Sequence, residues 1–232
     1  MSNKRSKRYE KAVALVEEGK SYSLDDAVAL LKKFPAPKFD ATVTFSAHLG
    51  IDPRKSDQMV RGSVALPHGT GKKVKVIVFA SGDAAKAAAD AGADEVGFEE
   101  LIKKVQGGYT DFDAAIATPD AMTEVRKIAR VLGPRGLMPT PKTGTVTDDT
   151  ATAVNAVKAG RIDYKVDKSA NIAAACGKLS FSEEQLQENL GSLVDSIVKA
   201  KPASAKGNYI QSFTLAASML PGISLDISSY IA

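Results

Sequence analysis

The stretch that decides the fold is residues 39–72, which read FDATVTFSAHLGIDPRKSDQMVRGSVALPHGTGK. Its first part alternates with a period of two, the pattern of a strand with one buried and one wet face. The apolar side carries Val43, Phe45, Ala47 and Leu49. The polar side carries Thr42, Thr44, Ser46 and His48. We therefore predict a half-buried strand that begins at about residue 41.

The same stretch continues into a basic loop, a returning strand and a candidate hinge. The loop follows residue 51, and a second apolar run covers residues 64–66. Beyond it lie Gly69 and Gly71, which can adopt backbone angles closed to other residues. Gly160 stands at a second change of pattern further along the chain. We predict that these three glycines form a hinge.

The composition is that of a globular cytoplasmic protein with room for one or two domains. The chain has 232 residues, 44% of them hydrophobic and 25% charged. No uninterrupted apolar run exceeds five residues, which predicts no membrane span and no membrane partner. The lone cysteine, Cys176, rules out an internal disulfide and fits a reducing compartment.

The net charge of +4 is concentrated at the start of the chain. Residues 1–67 hold 12 Lys and Arg against 8 Asp and Glu, whereas residues 68–159 and 160–232 are each neutral. A local cationic surface attracts polyanions and makes their binding salt-dependent. Many proteins carry a basic tail without binding nucleic acid, so charge alone leaves the partner open.

The middle of the chain has the rhythm of a parallel α/β domain. A continuous apolar run at residues 76–79 predicts a strand covered on both faces, and residues 112–117 predict another buried strand. A further short strand is predicted near Val96. Helices are predicted between the strands, at residues 83–91, 98–105 and 148–158 and from Pro119 onward.

On either side of this block the strands alternate and the helices are amphipathic. Half-wet strands are predicted after Gly160 and over residues 208–220, where Met219 shares the apolar parity of Phe213. Another strand is predicted at residues 171–181. Helices are predicted at residues 5–18, after Ser23 and after Ser182.

Half-wet strands therefore bracket a block of dry ones, which predicts an α/β fold with two domains. Residues 1–67 and 160–232 would form a discontinuous α+β domain, an antiparallel sheet with helices built from both chain ends. Residues 68–159 would form an inserted, Rossmann-like parallel α/β domain. Insertions are tolerated where the two cut ends of the host lie close together, and relative motion is expected across two connections.

Catalytic and metal sites are not indicated. His48, His68 and Cys176 lack the paired spacing of a zinc site, and the two histidines are interpreted as a strand residue and a turn residue. The alternative function is that of an α/β nucleotide- or phosphate-binding enzyme using the Gly-rich loop at residues 133–145. A phosphate loop follows a strand, but residues 126–132 have a helical pattern, so a rigid loop is favoured.

Two local features fit nucleic acid. Lys38 precedes Phe39, and such a pair can neutralise a phosphate while the ring stacks on a base. Ser212 and Ser218 lie on the polar side of the last strand, where hydroxyls could bond to phosphates or ribose. Each has an ordinary alternative. Phe39 shares the parity of Phe45 and would then belong to the core, and the hydroxyl face would be a solvated sheet surface.

Several segments, taken in order, resemble one known family. They are KFDATVTF (38–45), LGIDPRKSDQMVRG (49–62), LPHGTGK (66–72), AGADEVG (91–97), FDAAIATPD (112–120), GPRGLMPTPKTGTV (133–146) and KAGRIDYKVDK (158–168). Together they resemble the L-one family of large-subunit ribosomal proteins, in its bacterial form. The resemblance extends from about Tyr9 to Leu225.

The resemblance implies a two-domain protein without enzyme activity or cofactor, which is a monomer when free. It implies that the domain built from both termini binds large-subunit ribosomal RNA, while the inserted domain contributes less. It implies a place in the mobile stalk, where the protein assists release of exit-site tRNA. It also implies repression of translation by binding the mRNA leader of its own operon.

Carried over by position, the resemblance implies one set of RNA-binding residues. They are Asp26, Lys38, Phe39, Asp167, Lys168, Ser212, Ser218 and Met219. The chain departs from the family pattern Thr-Met-Gly at Ser218–Met219–Leu220, and it has Ala173 where histidine is common. The serine keeps the hydroxyl, whereas Leu220 adds bulk where RNA is expected to approach closely. Residues 226–232 match nothing in the family.

Overall fold

The computed structural model of the protein describes residues 5–228 and residue 230. The chain divides into two compact units. The terminal unit combines Met1–Gly71 with Ile162–Ala232, and the inserted unit is Lys72–Arg161. The divisions fall after Gly71 and Arg161, a few residues beyond the predicted boundaries. The two-domain α/β fold class is confirmed.

The centre of the terminal unit is a four-stranded antiparallel sheet. Its strands, in spatial order, are β7 (Asn171–Lys178), β1 (Thr42–Leu49), β8 (Ile210–Ala217) and β9 (Ile223–Leu225). A separate two-stranded sheet pairs β2 (Arg61–Ala65) with β6 (Arg161–Lys165). The central strand of the larger sheet thus comes from the first chain segment, and all its neighbours come from the last.

Only one face of the larger sheet is buried, as the alternation in β1 predicts. The apolar side chains of β1 are each at most 1% exposed. They share one core with helices α2 (Leu24–Lys33) and α8 (Glu183–Lys199). At its centre the rings of Phe45 and Phe213 lie 5.0 Å apart. The opposite face is left without a covering layer, which is common in antiparallel sheets.

Helices α2 and α8 begin where the sequence predicts. The Ser23 hydroxyl accepts a hydrogen bond from the backbone N–H of Asp26 (3.1 Å). The Ser182 hydroxyl likewise accepts from Gln185 N–H (3.2 Å), and the Gln185 side chain accepts from Ser182 N–H (3.0 Å). These bonds satisfy backbone donors that a helix start leaves open, so both predicted caps are confirmed.

The first helix is shorter than predicted. Helix α1 spans Lys7–Val13 rather than residues 5–18. Leu15 stays 45% exposed and so gains little from a continued helix. The N–H of Glu17 instead donates to the Tyr22 hydroxyl (3.1 Å). A local hydrogen bond between residues five positions apart takes the place of the last helical turns.

The inserted unit is built on a three-stranded parallel sheet. Its strands, in spatial order, are β4 (Glu95–Gly97), β3 (Val76–Phe79) and β5 (Ala114–Ala117). All four side chains of β3 are at most 1% exposed, because each face has its own apolar cluster. One cluster includes α3 (Asp83–Asp90) and α7 (Thr150–Lys158). The other includes α4 (Glu99–Gln106).

The helix predicted from Pro119 is broken into short pieces. Helix α5 (Met122–Val125) leads into a 3₁₀ turn at Arg126–Ile128 and then into α6 (Ala129–Leu132). Val125, Ile128 and Leu132 nevertheless all face the same core. The changes of helix type keep these side chains packed where one straight helix was expected.

The segment that carries the first two predicted hinge glycines is fastened to the terminal unit. Asn189 of α8 is fully buried, and its side chain accepts from His68 N–H (3.1 Å). The same side chain donates to the carbonyls of Gly69 (3.0 Å) and Cys176 (2.8 Å). Gly71 has a φ of +70°, and a Cβ there would come within 2.8 Å of the Phe181 ring. Residues 68–71 therefore belong to the terminal unit, and the hinge stays a prediction.

Candidate nucleic-acid interface

The open face of the four-stranded sheet is built from small polar side chains. On β1, Thr44, Ser46 and His48 all face outward and are partly exposed. Strand pairing sets Thr214 beside Ser46, and Ser224 beside Thr214, so hydroxyls line up across three strands. The four described strands contain no acidic residue. A hydroxyl-rich surface without carboxylates suits RNA, whose phosphates accept and whose 2′-hydroxyls donate and accept.

At one end of this face the segments that carry Phe39 and Ser218 meet. Ser218 N–H donates to the carbonyl of Thr42 (3.0 Å), and its hydroxyl donates to the same oxygen (3.4 Å). Phe39 precedes Thr42 by three residues, which limits their Cα separation to about 10 Å. Lys38 and Met219 are the neighbours of these two residues. We call this group of four residues the first end of the interface.

Two side chains at the first end lie differently from the parity prediction. Phe39 is 48% exposed and not part of the core, so the ordinary alternative for this residue is wrong. Met219 is 68% exposed, so its placement on the apolar side is wrong as well. Strand β8 ends at Ala217, and Met219 adopts a left-handed φ of 61°, which turns its side chain outward.

The structure also shows where the bulk of Leu220, which departs from the family pattern, is placed. The Leu220 side chain is buried, with 7% exposure, and joins the core of the terminal unit. Its N–H donates to the carbonyl of Ala217 (2.9 Å), which closes the turn. The extra bulk of leucine therefore faces the core and not the open surface.

Three more of the predicted residues lie at the other end of β1. Ser212 is exposed and pairs with His48, which in turn pairs with Asn171 of β7. Asp167 and Lys168 lie in the turn that precedes β7, and both are exposed. We call Ser212, Asp167 and Lys168 the second end. Six residues of β1 separate the two ends, a span of about 20 Å along the strand.

The Asp167 carboxylate has a structural role at the second end. Its Oδ1 accepts from the backbone N–H groups of Ser169 and Asn171, both at 2.8 Å. These hydrogen bonds lower the pKa of Asp167, because they favour the charged carboxylate. The turn holds Lys168 in place beside a cleft of about 570 Å³, which is lined by Pro53, Met59, Lys165, Val166, Asp167 and Lys168.

Asp26 has a different local role. It is in the first turn of α2, where its carboxylate accepts from the Ser23 hydroxyl (2.8 Å). Helix α2 runs its full length before the chain reaches Lys38. The structure thus brings together the first-end residues and the second-end residues, but it gives Asp26 a helix-capping contact.

Charge pairing differs between the candidate interface and the inserted unit. Among the described residues, Lys38 and Lys168 form no ion pair. In the inserted unit, by contrast, lysines bind carboxylates, as in Lys72–Asp113 (2.5 Å). No carboxylate in an ion pair therefore neutralises these two lysines, and their charge can attract an anionic partner.

The Gly-rich loop considered for phosphate binding is held by its own side chains. The Thr143 hydroxyl lies 2.8 Å from the hydroxyl of Thr140 and 3.1 Å from that of Thr145. Gly144 has a left-handed φ of 65°, which closes the 3₁₀ turn. These contacts describe a rigid loop, which agrees with the reading that the sequence favours.

The part of the chain that the structure describes offers neither a metal cluster nor a reactive thiol. It contains no cluster of three or more side chains suited to a metal ion. Burial raises the pKa of the Cys176 thiol to about 12, so the reactive thiolate is scarce. None of the described helices has the length and apolar character needed to cross a membrane.

Sequence reasoning identified the hydroxyls of β1 and of residues 212–218 separately, but it missed that they line up across the sheet. The alternation identified Thr44 and Ser46 as outward residues, but it could not show that β7 and β8 flank them. Residue Arg8, described below, was also missed, because only its place in a basic segment was visible.

Comparisons with known proteins agree on one family. The model of the ribosomal protein L1p/L10e family matches residues 31–221. A large ribosomal subunit protein uL1 of Renibacterium salmoninarum is 56% identical over 96% of this chain and 95% of its own length. Those of Clavibacter michiganensis and Lactobacillus delbrueckii are 54% and 56% identical, over 97% and 96% of this chain and 99% and 96% of their own lengths. These are names of ribosomal proteins and not of enzymes. The chain belongs to the ribosomal protein L1p/L10e family.

Proposed function

We propose that this protein is a structural component of the large ribosomal subunit in the cytoplasm and that it binds ribosomal RNA directly. The observation that carries the proposal is the hydrogen bond from Ser218 to the Thr42 carbonyl, which joins the segment of Phe39 to that of Ser218 at one end of an open, acid-free sheet face. Family membership supports it, because the relatives are named as proteins of that subunit.

Binding rests on a preformed surface. The hydrogen-bonded strands already hold this face in place, so few groups need to be ordered when RNA binds. Lys38 and Lys168 neutralise phosphates at the two ends, and the hydroxyls between them bond to phosphate or ribose oxygens. The exposed ring of Phe39 stacks on a base, and Met219 adds an apolar contact. A folded RNA that covers both ends must span about 20 Å of the strand.

Four finer roles complete the proposal. The terminal unit carries most of the RNA affinity, and the protein joins the mobile stalk that assists release of exit-site tRNA. Free monomeric protein uses the same residues on the mRNA leader of its own operon and represses translation. The glycines Gly69, Gly71 and Gly160 serve the hinge between the units. A reporter translated behind that leader tests the repression, since added wild-type protein lowers its yield and the Phe39→Ala variant does not.

The direct test is a filter-binding titration of the full chain against a transcript of the stalk segment of bacterial large-subunit ribosomal RNA. Saturable binding that weakens with salt is expected. Ser218→Ala should reduce the binding free energy by roughly 1–3 kcal/mol, because removal of the hydroxyl would leave its RNA partner unsatisfied. Phe39→Ala should cost about 1–3 kcal/mol of stacking.

Matched controls separate the interface from the rest of the surface. Thr123→Ala removes an exposed hydroxyl in the inserted unit, and Leu15→Ala removes an apolar side chain with 45% exposure. Neither should change the dissociation constant. Wild-type affinity in both Ser218→Ala and Phe39→Ala would remove this face from the RNA site.

A further inference from the structure

The side chain of Arg8 joins the two loops of the first end. Its Nη1 donates to the carbonyl of Pro35 (3.4 Å), and its Nη2 donates to the carbonyl of Met219 (3.1 Å). Pro35 lies in the loop that leads to Lys38 and Phe39. One side chain from α1 thus connects segments that are separated by most of the chain.

An arginine is needed for this bridge. The guanidinium is planar and rigid, and its two terminal nitrogens point in fixed directions, so each can bond a different carbonyl. A lysine ammonium is a point charge on a flexible stem and does not hold two carbonyls in a set geometry. The conformation of Met219 makes the bridge matter, because its left-handed φ of 61° costs energy that neighbouring contacts must offset.

Further contacts hold the backbone beside each of the two exposed side chains, Phe39 and Met219. On the far side of Phe39, the Asp40 carboxylate accepts from the hydroxyl of Ser180 (2.9 Å) and from its N–H (3.2 Å). Arg8 fixes the near side through Pro35. Phe39 is therefore anchored before and after, and Met219 is held by the same guanidinium.

The charge of Arg8 also remains available. Among the described residues it forms no ion pair, since both of its bonds go to neutral carbonyls. It lines an open cleft of about 450 Å³ together with Arg5, Ser6, Tyr9 and Met219. Because no carboxylate neutralises it, this cation adds to the attraction for phosphate.

We infer that Arg8 is a positioning residue of the RNA interface, which sets the Phe39 and Met219 side chains in register with each other. The inference rests on the proposed function and deepens it. Apart from its charge, Arg8 acts on RNA through these two side chains, so loss of its bridge should matter only while they are present.

The test is a double-mutant cycle on the full chain with the stalk transcript. Arg8→Lys keeps the charge and removes the two-pronged bridge. We expect it to weaken binding about tenfold, which is about 1.4 kcal/mol, with an unchanged salt slope. In a Phe39→Ala, Met219→Ala background the same change should weaken binding less than twofold. The charge control is Lys11→Ala on the same helix, which should lower the salt slope and add independently to the double variant.

A second measurement needs no RNA and so separates this inference from the proposed function. The N–H of Leu220 bonds to Ala217 in the turn that holds Met219, and its hydrogen exchange reports how well that turn is held. Exchange should be faster in Arg8→Lys than in wild type or Lys11→Ala. Unchanged exchange, or an equal loss of affinity in both backgrounds, would overturn the inference. If wild-type protein fails to bind the transcript, the proposed function falls, and the exchange rates still decide whether Arg8 holds the turn.

Discussion

Strand β3 of the inserted unit is buried on both faces, whereas β1 of the terminal unit is buried on one. All four side chains of β3 are at most 1% exposed, but alternate side chains of β1 reach solvent. The inserted unit thus uses its sheet entirely for packing. The terminal unit buries one sheet face and leaves the other, whose strands carry no carboxylate, partly exposed. Each of the following predictions tests that difference.

The largest effect is expected on the buried face of β1. Phe45→Ala removes a fully buried ring that packs on Phe213, and should lower the free energy of unfolding by about 3–5 kcal/mol. Ser46→Ala, its neighbour on the open face, should change stability by less than about 0.5 kcal/mol. Urea denaturation measures both. Equal losses would mean that both faces of β1 are packed.

The next effect concerns buried polar groups. Asn189→Ala removes three hydrogen bonds in the terminal unit and should cost about 2–4 kcal/mol, since the Cys176 carbonyl is left buried and unsatisfied. Thr150→Val removes one bond in the inserted unit, to the carbonyl of Ala84 (2.7 Å), and should cost about 1 kcal/mol. Thermal unfolding of the two variants gives the ratio of the two losses in stability. A larger loss for Thr150→Val would contradict the expectation.

A smaller effect tests both faces of β3. Ile77→Thr and Val78→Thr each bury a hydroxyl among apolar neighbours, on opposite sides of the strand, and should each cost about 1–3 kcal/mol. The matched change on the open face of β1, Thr44→Val, should be nearly neutral. If one of the β3 variants were neutral as well, that face of the inserted sheet would be wet.

The smallest effect is a pH dependence that the two units share. Hydrogen bonds lower the pKa of Asp149, from the side chain and N–H of Thr152, and that of Asp167, from the N–H groups of Asn171 and Ser169. A lowered folded-state pKa stabilises the fold above the unfolded value of 3.8, and the contribution is lost as the pH falls through the folded value.

Asp149→Asn and Asp167→Asn should therefore lower the melting temperature slightly at pH 7 and not at pH 2. The comparison is made by calorimetry at both pH values. A constant difference between variant and wild type at the two values would show that the charge of the carboxylate plays no part.

Much of the fold could be predicted because the deciding patterns are local. The alternation in β1, the dry run of β3 and the cap at Ser182 each depend on a few neighbouring residues. The length of α1 could not be predicted, because it depends on a bond between Glu17 and Tyr22. Strand β9 escaped notice because three residues give too short a pattern.

The candidate site was less accessible to sequence reasoning. Lys38, Phe39 and Ser218 were noted as residues that fit nucleic acid, but only the resemblance favoured them over the ordinary alternatives, and parity placed Phe39 and Met219 wrongly. Parity fails where a strand ends, and neither residue lies within a strand. The bridge from Arg8 to Pro35 and Met219 joins residues 27 and 211 positions apart, and no local pattern encodes such a contact.

The order of strands in the larger sheet has a consequence for biosynthesis. The ammonium of Lys178 in β7 bonds to the Thr42 hydroxyl of β1 across 136 positions. Strand β1 therefore has no partner strand until β7 has been synthesised. The three strands of the inserted unit, by contrast, are complete by Ala117, and β5 has one further bridge, to Val146 of the same unit. Because domains fold as units during synthesis, the inserted unit is able to fold first. A chain terminated before β7 would leave β1 unpaired and would lack the open sheet face altogether.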